Sequence, residues 1–340
     1  MKIMKNKVKV ILYALCILLC SSCTKSETPG IPSGSSGAGP NSRQYRIGIS
    51  FPTTELIFRK TMKEIVEAAY PAGNIDQRAQ VLIYDGEGSQ KKQNQDIMDM
   101  IAEGVDGIIL VPYTMEGPLS IVQYANEKGI PVVTVDNILE SSASAEVVSF
   151  VGADHYFMGV QASELLISAL EEKFPENEKW NVIQLTGIPY SSGAVDRGEA
   201  IEGEISRTPR IQLLGSYNAE FTSANAKSVV LDCLQVYGDV QGIICQNDLM
   251  AEGCYEALKE VGKEGSIVVI GIDGQKSVVE KMLTGGIHGT VLQSPSMINV
   301  GVERLCDYLD GKEIAPVYYQ QTDKIYPEDA KRILEEDRAW

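Results

Sequence analysis

The feature that most constrains the fold is a pattern of short apolar segments that occurs twice along the chain. GVDGIILVPY at residues 104–113 and DVQGIICQND at residues 239–248 each place a glycine before an apolar run that ends in polar or aromatic residues. Each is followed by a second similar segment, IPVVTVDN ending at Asn137 and IVVIGIDG ending at Gly274. Apolar runs of this kind are typical of buried parallel strands, whose carboxyl ends carry the ligand groups of open α/β sheets. The repetition predicts two such sheets that face each other.

The segments between these strands carry helical patterns. Residues 62–69 repeat apolar side chains at helical spacing, and Ser89 is placed to cap the next helix, which Gly104 ends. The predicted strands lie at residues 45–50, 81–85, 107–111, 131–135, 181–185, 211–216, 242–245 and 267–272. This alternation predicts the α/β class, with two doubly wound parallel-sheet lobes.

Length and composition fit two domains and narrow the choice of partner. A chain of 340 residues is enough for two domains of about 150 residues each, and a hydrophobic content of 44% supports two cores. The formal net charge of −16 argues against nucleic acid as a partner. The only histidines are His155 and His288, and no Cys/His cluster has zinc-site spacing, so we expect no metal.

The first residues have the pattern of an export signal. Lysines precede an apolar segment at residues 10–20 that is too short to span a bilayer. Two serines then precede Cys23, an arrangement that resembles the lipobox of bacterial lipoproteins, in which the cysteine carries lipid. The resemblance implies a signal peptide at residues 1–22 and lipid attachment at Cys23. The alternative is a plain secretory signal that is cut nearby.

A segment rich in Ser, Gly and Pro follows at residues 23–43. Such a composition buries little apolar surface and is typical of a flexible tether. Together with the export signal, it predicts a protein that is located in the periplasm and held at a bacterial membrane by a lipid anchor.

Six segments of the remaining chain resemble one known family. They are RIGISFPTTELIFRKTMKEIVEAA, IAEGVDGIILVPY, KGIPVVTVDN, CQNDLMAEGCYEALKEVG, VVIGIDG and GTVLQSP. In this order and spacing they resemble the type I periplasmic sugar-binding proteins of the ribose, galactose and xylose group, whose core fold is shared with LacI-like transcription regulators. The resemblance covers Tyr45 to about Arg338.

The resemblance implies two lobes that are joined by three crossing segments and close on a ligand like a hinge. It places the first lobe at residues 45–148 plus 294–323. The second lobe takes residues 149–293 plus 324–340. We expect a monomer that clamps a small molecule between these lobes.

Eight residues are predicted to bind the ligand. Six of them match ligand-binding residues of the family: Phe58, Asp136, Phe221, Asn247, Asp273 and Gln293. The other two are Arg59, which could reach a hydroxyl or a carboxylate, and Asn137, which stands where the family has an arginine. A sugar offers many hydroxyls and two weakly apolar faces, which suit carboxylates, amides and guanidinium groups combined with flat aromatic rings.

Structural roles remain open for several of these residues. Asp136 could instead form an Asx turn after its strand. Arg59 could be a solvent-exposed side chain in the first turn of a helix, and Gln293 a solvent-exposed residue of the hinge. Asn247 is suited to a turn before a helix, and we expect the next residue, Asp248, to cap that helix.

The chain departs from the family at three positions that carry polar ligand groups in ribose-type members. Val111 replaces an asparagine, whereas Asn137 and Val195 replace arginines. These changes argue against ribose itself and favour a ligand with different hydroxyls, a larger ligand or a partly apolar one. Five residues near the gaps are candidates for new contacts: Thr53, Thr54, Glu55, Tyr113 and Tyr190.

Signals for catalysis are weak. The segment DGEGSQ at residues 85–90 lacks the third glycine of a dinucleotide fingerprint, and Ser191 and Ser192 have no identifiable partner histidine. We therefore expect no enzyme activity, no catalytic residues and no cofactor. The cysteines of the body are expected to be buried thiols, although disulfide pairing remains open.

The sequence thus predicts a binding protein that takes a monosaccharide or related polyol and presents it to an ABC permease or to the periplasmic domain of a sensor kinase. The alternative ligand is a non-sugar signal such as a furanosyl autoinducer that feeds a sensor kinase. A transcription regulator is disfavoured because the chain has an export signal and no helix-turn-helix before Tyr45.

Overall fold

The computed structural model describes residues 43–340. The predicted signal peptide, Cys23 and all but the last residue of the predicted tether lie outside this range. Across the described residues, no helix combines the length and the apolar character that a membrane crossing requires.

The first lobe is built on a six-stranded sheet in which all neighbouring strands are parallel. Its strands are β1 (Tyr45–Phe51), β2 (Ala79–Asp85), β3 (Gly107–Leu110), β4 (Val132–Val135), β5 (Ser149–Ala153) and β11 (Val317–Gln320). Its helices are α1 (Ile57–Ala69), α2 (Gln90–Ala102), α3 (Leu119–Glu127) and α9 (Met297–Leu309). The strand order is β11-β5-β4-β3-β1-β2. Separate apolar clusters, one around Phe51 and Met62 and one around Ile97 and Leu110, pack in this lobe.

The strands of the second lobe are β6 (Trp180–Thr186), β7 (Ile211–Asn218), β8 (Gly242–Cys245), β9 (Val268–Ile270), β10 (Thr290–Leu292) and β12 (Asp323–Ile325). Four of them form a parallel sheet in the order β7-β6-β8-β9. Its helices are α4 (His155–Lys173), α5 (Ser192–Arg207), α6 (Ser223–Tyr237), α7 (Asp248–Glu260), α8 (Lys276–Met282) and α10 (Ala330–Glu335), with a 3₁₀ turn at Pro327–Asp329. Strand β10 pairs with β12 in antiparallel fashion and extends the sheet beside β9 through single bridges. The predicted α/β class with two parallel-sheet lobes is confirmed.

The chain passes between the lobes three times: after β5, after β10 and after β11. Two lobe boundaries differ from the expected ones. Strand β5, expected in the second lobe, forms backbone pairs with β4 and β11 of the first sheet. Strand β12, whose first residue Asp323 was expected in the first lobe, pairs with β10 of the second. Backbone pairing across the crossing segments therefore moves the first boundary to the end of β5 and the last one to the start of β12.

Short polar side chains set the starts of several helices. Ser89 accepts a hydrogen bond from the backbone N–H of Lys92 and caps α2, as predicted. The cap of α7 is Asn247, whose Oδ1 accepts from the N–H of Met250 at 2.9 Å. The expectation that Asp248 caps this helix is therefore wrong. Asp248 is the first residue inside the helix, and its carboxylate faces a different turn.

The cysteines of the described region are free and buried. Cys233, Cys245 and Cys254 belong to the core of the second lobe, and Cys306 to that of the first. Burial raises the pKa of the Cys306 thiol to about 12, so this side chain packs as a neutral apolar group.

Candidate ligand-binding cleft between the lobes

A cavity lies between the lobes, where strands of both sheets end. The free space inside it is about 40 Å³, well below the ~300–1,000 Å³ of sites that hold a small molecule, so the two lobes lie close together in this structure. All eight residues that the sequence predicts to bind the ligand line it: Phe58, Arg59, Asp136, Asn137, Phe221, Asn247, Asp273 and Gln293. The carboxyl ends of parallel strands meet at one sheet edge, which brings these distant residues together.

The five additional candidates lie at the margin of this cavity or outside it. Thr53 and Tyr113 line a smaller adjoining cavity with about 10 Å³ of free space. Thr54 donates its hydroxyl to a carboxylate at the end of β2. Glu55 is exposed, and the Tyr190 side chain is 73% exposed. Thr53 and Tyr113 are therefore the members of this group that lie next to the main cavity.

Asp136, which follows β4, is buried and fully paired. Its Oδ2 accepts a hydrogen bond from Arg59 Nη2 at 3.0 Å, which is also an ion pair. Its Oδ1 accepts from Gln293 Nε2 at 3.0 Å. The Arg59 side chain is mostly buried against this carboxylate, so Arg59 is a partner of Asp136 and not a solvated surface group.

Asn137 connects the two lobes. Its Oδ1 accepts hydrogen bonds from the backbone N–H of Gly193 at 3.0 Å and from Ser192 Oγ at 3.1 Å, both at the start of α5. Its Nδ2 donates to Asp136 Oδ2 at 3.2 Å and to the Pro112 carbonyl at 3.5 Å. The polar groups of this side chain are thus paired within the protein, and a contact between Asn137 and the ligand stays a prediction.

Two buried residues that the sequence analysis did not select, Arg197 and His155, complete this network. Arg197 Nη1 donates to the Gln246 carbonyl at 2.6 Å, and its Nη2 donates to Gln293 Oε1 at 2.6 Å. Arg197 Nη2 also donates to His155 Nδ1 at 3.2 Å, while His155 Nε2 donates to the Asp136 carbonyl at 2.7 Å. Burial, assisted by the nearby Arg197 charge, lowers the His155 pKa to about 4. The imidazole is therefore neutral at pH 7, in agreement with one donating and one accepting nitrogen.

Arg197 also changes the interpretation of two departures from the family. Val195, which occupies the position of the family's arginine, is 42% exposed and does not line the cavity. Arg197 lies two positions later on α5 and lines it instead. Val111 is fully buried in the core of the first lobe. A guanidinium group is therefore present in the cleft even though Val195 supplies none.

Asp273, which follows β9, is buried but poorly paired. The closest cationic group to its carboxylate is Arg197 Nη2, at 3.9 Å from Oδ1. Burial raises the Asp273 pKa to about 7, against the opposing effects of the Arg197 charge and of a hydrogen bond from the Gln275 side chain. Asp248 supports the turn from behind, because its Oδ2 accepts from the Gln275 N–H at 2.8 Å and its Oδ1 accepts from Thr290 Oγ1 at 2.7 Å. Burial raises the Asp248 pKa to about 8.

Two phenylalanine rings, one from each lobe, provide apolar walls. Phe58 is the second residue of α1, and Phe221 precedes α6. Gly187 leaves room for the Phe221 ring, since a Cβ at residue 187 would lie 1.9 Å from the ring. Asn247 Nδ2 donates to the Phe221 carbonyl at 3.2 Å. The expected turn role of Asn247 is present, and the same residue reaches the cavity wall.

Three of the lining residues have a left-handed backbone that non-glycine residues rarely adopt. The φ angles are 68° at Asp136, 60° at Phe221 and 138° at Asp273. Such conformations cost about 1–3 kcal/mol each and are concentrated at functional sites. Strain at three positions around one cavity supports this cavity as the binding site, independently of any family resemblance.

Comparison with known proteins decides the family. The sequence profile of the periplasmic binding protein domain matches residues 47–313. The chain belongs to the periplasmic binding protein family. This confirms the resemblance to periplasmic sugar-binding proteins that the sequence segments indicated.

Curated relatives of this periplasmic binding protein cover most of its length. The ribose import binding protein of Bacillus subtilis is 28% identical over 312 residues, which are 92% of this chain and 95% of the relative. The corresponding protein of Haemophilus influenzae is 30% identical and aligns with 80% of this chain and 88% of its own. The galactofuranose-binding protein of Escherichia coli is 26% identical, and the alignment covers 75% of this chain and 81% of the relative.

Solved structures share the fold. A galactofuranose binding protein has a TM-score of 0.80 at 22% identity and covers 87% of this chain and 100% of its own. The periplasmic component of an arabinose ABC transporter from Shewanella, bound to L-arabinofuranose, has a TM-score of 0.79 at 25% identity, with 86% and 95% coverage. A fructose binding periplasmic domain of a hybrid two component system has a TM-score of 0.77 at 24% identity, with 86% and 94% coverage.

Family membership settles two broader questions. The relatives are substrate-binding proteins, so this periplasmic binding protein is a binding protein and not an enzyme, as the sequence predicted. Its place is outside the cytoplasm, in the periplasm or an equivalent compartment.

Proposed function

We propose that this protein closes its two lobes on a monosaccharide or related polyol and delivers the ligand to an ABC permease. One observation carries the proposal: carboxylates, guanidinium groups and two aromatic rings from both lobes converge on a single cleft. Hydroxyl groups donate to carboxylates and accept from guanidinium groups, and aromatic rings cover the apolar faces of a sugar ring.

The Asp273 carboxylate is the strongest candidate for a hydroxyl acceptor. It lines the cavity, and its nearest cationic neighbour is 3.9 Å away, so it retains acceptor capacity that a ligand hydroxyl can use. Arg59 is paired with Asp136, and the acid nearest to Arg197 is Asp273, so two guanidinium groups and two carboxyl groups leave little net charge to attract an ionic ligand. This balance supports a neutral polyhydroxylated ligand.

Furanose rings are the first ligands to examine within this class. Relatives and structural neighbours include proteins named for galactofuranose, for L-arabinofuranose and for fucofuranose. A cleft with one phenylalanine from each lobe suits a compact ring of this size.

A second candidate function is ligand sensing. One structural neighbour is the fructose binding periplasmic domain of a hybrid two component system. The same closed form would then signal to a sensor kinase, because a ligand stabilises whichever state binds it. In this role a furanosyl autoinducer is the alternative ligand.

The proposed receptor is held at a bacterial membrane by lipid on Cys23, which lies outside the described residues. Replacing the cysteine with serine (Cys23→Ser) should move the protein from the membrane fraction to the soluble periplasmic fraction. Retention of the variant in the membrane fraction would count against the anchor.

A thermal-shift and calorimetric screen of the purified protein tests the ligand class. The panel contains pentoses, hexoses, ketoses, inositols, disaccharides and furanosyl autoinducers. A ligand at about 100 times its Kd should stabilise the protein by about 2.7 kcal/mol. Binding should be lost in Asp273→Ala and retained in the control Asp232→Ala, because Asp232 is exposed on α6. If no sugar or polyol of the panel binds, the proposal is refuted. Binding of furanosyl autoinducers alone would favour the sensing role.

A further inference from the structure

One aromatic residue outside the predicted site, Trp340, is bonded directly to the turn that carries Asp273. The indole Nε1 of Trp340 donates to the Asp273 carbonyl at 2.8 Å. Its carbonyl oxygen accepts from the N–H of Lys276 at 2.7 Å, and its own N–H donates to the Gly274 carbonyl at 3.4 Å. These three bonds attach Trp340 to residues 273–276 of the second lobe.

The opposite side of the indole faces the first lobe. Its ring centroid lies 5.2 Å from that of Phe58, with an interplanar angle of 63°, which is an edge-to-face contact. Trp340 is half-buried and packs against the apolar clusters of both lobes. The indole therefore spans the two lobes beside the cavity, and this contact exists only while the lobes are together.

The turn that Trp340 holds is strained. Asp273 has a φ of 138°, and such a conformation persists only when its surroundings hold it in place. Asp248 supports the turn from within the second lobe through the Gln275 N–H. Trp340 supports it from the side of the cleft, through the carbonyl of Asp273 itself.

We propose that Trp340 is a positioning residue of the binding cleft, which fixes the Asp273 turn through hydrogen bonds and the Phe58 ring through an edge-to-face contact. This inference rests on the proposed function of the cleft. Trp340 thereby couples two ligand-facing groups on opposite lobes, so that closure of the lobes and alignment of the site occur together.

Intrinsic fluorescence tests this coupling without altering Trp340. The chain has two tryptophans, and Trp180 is fully buried in the core of the second lobe. In Trp180→Phe, Trp340 is the sole tryptophan. We expect its emission to change on addition of the sugar that calorimetry identifies, with the same Kd by both methods. Calorimetric binding with unchanged Trp340 emission would overturn the inference, whereas absence of binding by the unmodified protein would refute the proposed function and this inference with it.

Substitutions separate the hydrogen bond from the ring contact. Trp340→Phe keeps an aromatic ring but removes the Nε1 donor, and we expect about a 3- to 10-fold loss of affinity. Trp340→Ala removes both contacts, and we expect about a 30- to 100-fold loss. The relative affinities for different sugars should also change, which a purely structural role would not produce.

A matched control is available in the first lobe. Tyr319 forms a similar edge-to-face pair with Phe150, at 6.0 Å and 71°, away from the residues that line the cleft. Tyr319→Ala should leave the affinity within twofold of that of the unmodified protein. Affinities within twofold for both Trp340 variants would overturn the inference, and the fluorescence measurement decides the question if Trp340→Ala does not fold.

Discussion

The turns after β4 and β9 have nearly the same sequence pattern but different surroundings. Asp136 follows VVTV and Asp273 follows VIGI, and both residues have a positive φ. Asp136 accepts hydrogen bonds from Arg59, Asn137 and Gln293. Within residues 43–340, Asp273 has one cationic group within 4 Å of its carboxylate, Arg197 at 3.9 Å.

This difference separates a carboxylate that organises the cleft from one that is available to a ligand. Asp136 compensates a buried guanidinium group and aligns the hinge glutamine, so its acceptor sites are largely used. Asp273 has lost water on burial without gaining equivalent partners, which is why its pKa rises to about 7. We therefore expect the similar turns of the two lobes to have different roles, and substitutions can test that expectation.

The largest effect is expected at Asp136. Asp136→Ala leaves the Arg59 guanidinium buried without its partner, and breaking a buried ion pair in this way costs about 3–5 kcal/mol. Denaturant unfolding should show a loss of this size in the free energy of unfolding. Asp136→Asn keeps the shape and one acceptor, so it should cost less. A loss below about 1 kcal/mol for the alanine variant would show that Asp136 is not the organising group.

A pH-dependent effect of intermediate size is expected at Asp273. Its folded-state pKa of about 7 lies above the unfolded value of about 4, so the folded state holds the proton more tightly. The contribution of Asp273 to the free energy of unfolding is therefore present in full below about pH 4 and is lost as pH rises to about 7, a change of about 1–3 kcal/mol. Asp248, with a pKa of about 8, contributes in the same direction. His155, whose pKa is about 4, contributes in the opposite direction below about pH 6.5.

Asp273→Asn removes the titrating carboxyl group of Asp273 and leaves that of Asp248. We expect the variant to lose less stability than the unmodified protein between pH 5 and 8, as measured by denaturant unfolding at each unit of pH. It should also bind the ligand more weakly at pH 8, since an amide offers a weaker acceptor than a carboxylate. If the stability of Asp273→Asn depends on pH as that of the unmodified protein does, Asp273 does not differ from Asp136 in the proposed way.

The smallest effect is expected at Asn137. This residue comes directly after Asp136, and the corresponding residue after Asp273 is Gly274. Asn137→Ala removes two hydrogen bonds from the closed arrangement of the lobes, which at about 0.5–0.7 kcal/mol each are together worth about 1–1.4 kcal/mol. Calorimetry should show about a 5- to 10-fold loss of affinity. The exposed Ser144→Ala, in the same connection between β4 and β5, serves as the control. Equal affinities for both variants would mean that Asn137 does not hold the lobes together.

The sequence by itself determined the strand-helix alternation, the two parallel sheets and the set of residues at the strand ends. Those features follow from local patterns, because apolar runs, glycines and helix caps such as Ser89 act over a few residues. The eight predicted cleft residues line one cavity because parallel strands present their carboxyl ends at one edge.

The tertiary structure alone decided which other residues reach the cleft and which groups are already paired. Arg197 and Trp340 leave no local signal, since Trp340 bonds to a residue 67 positions earlier in the chain. Local pattern also did not reveal that Asn247 caps α7 while Asp248 supports the Asp273 turn. Pairing and desolvation depend on every segment that packs around a group, so one sequence pattern produced a paired Asp136 and an available Asp273.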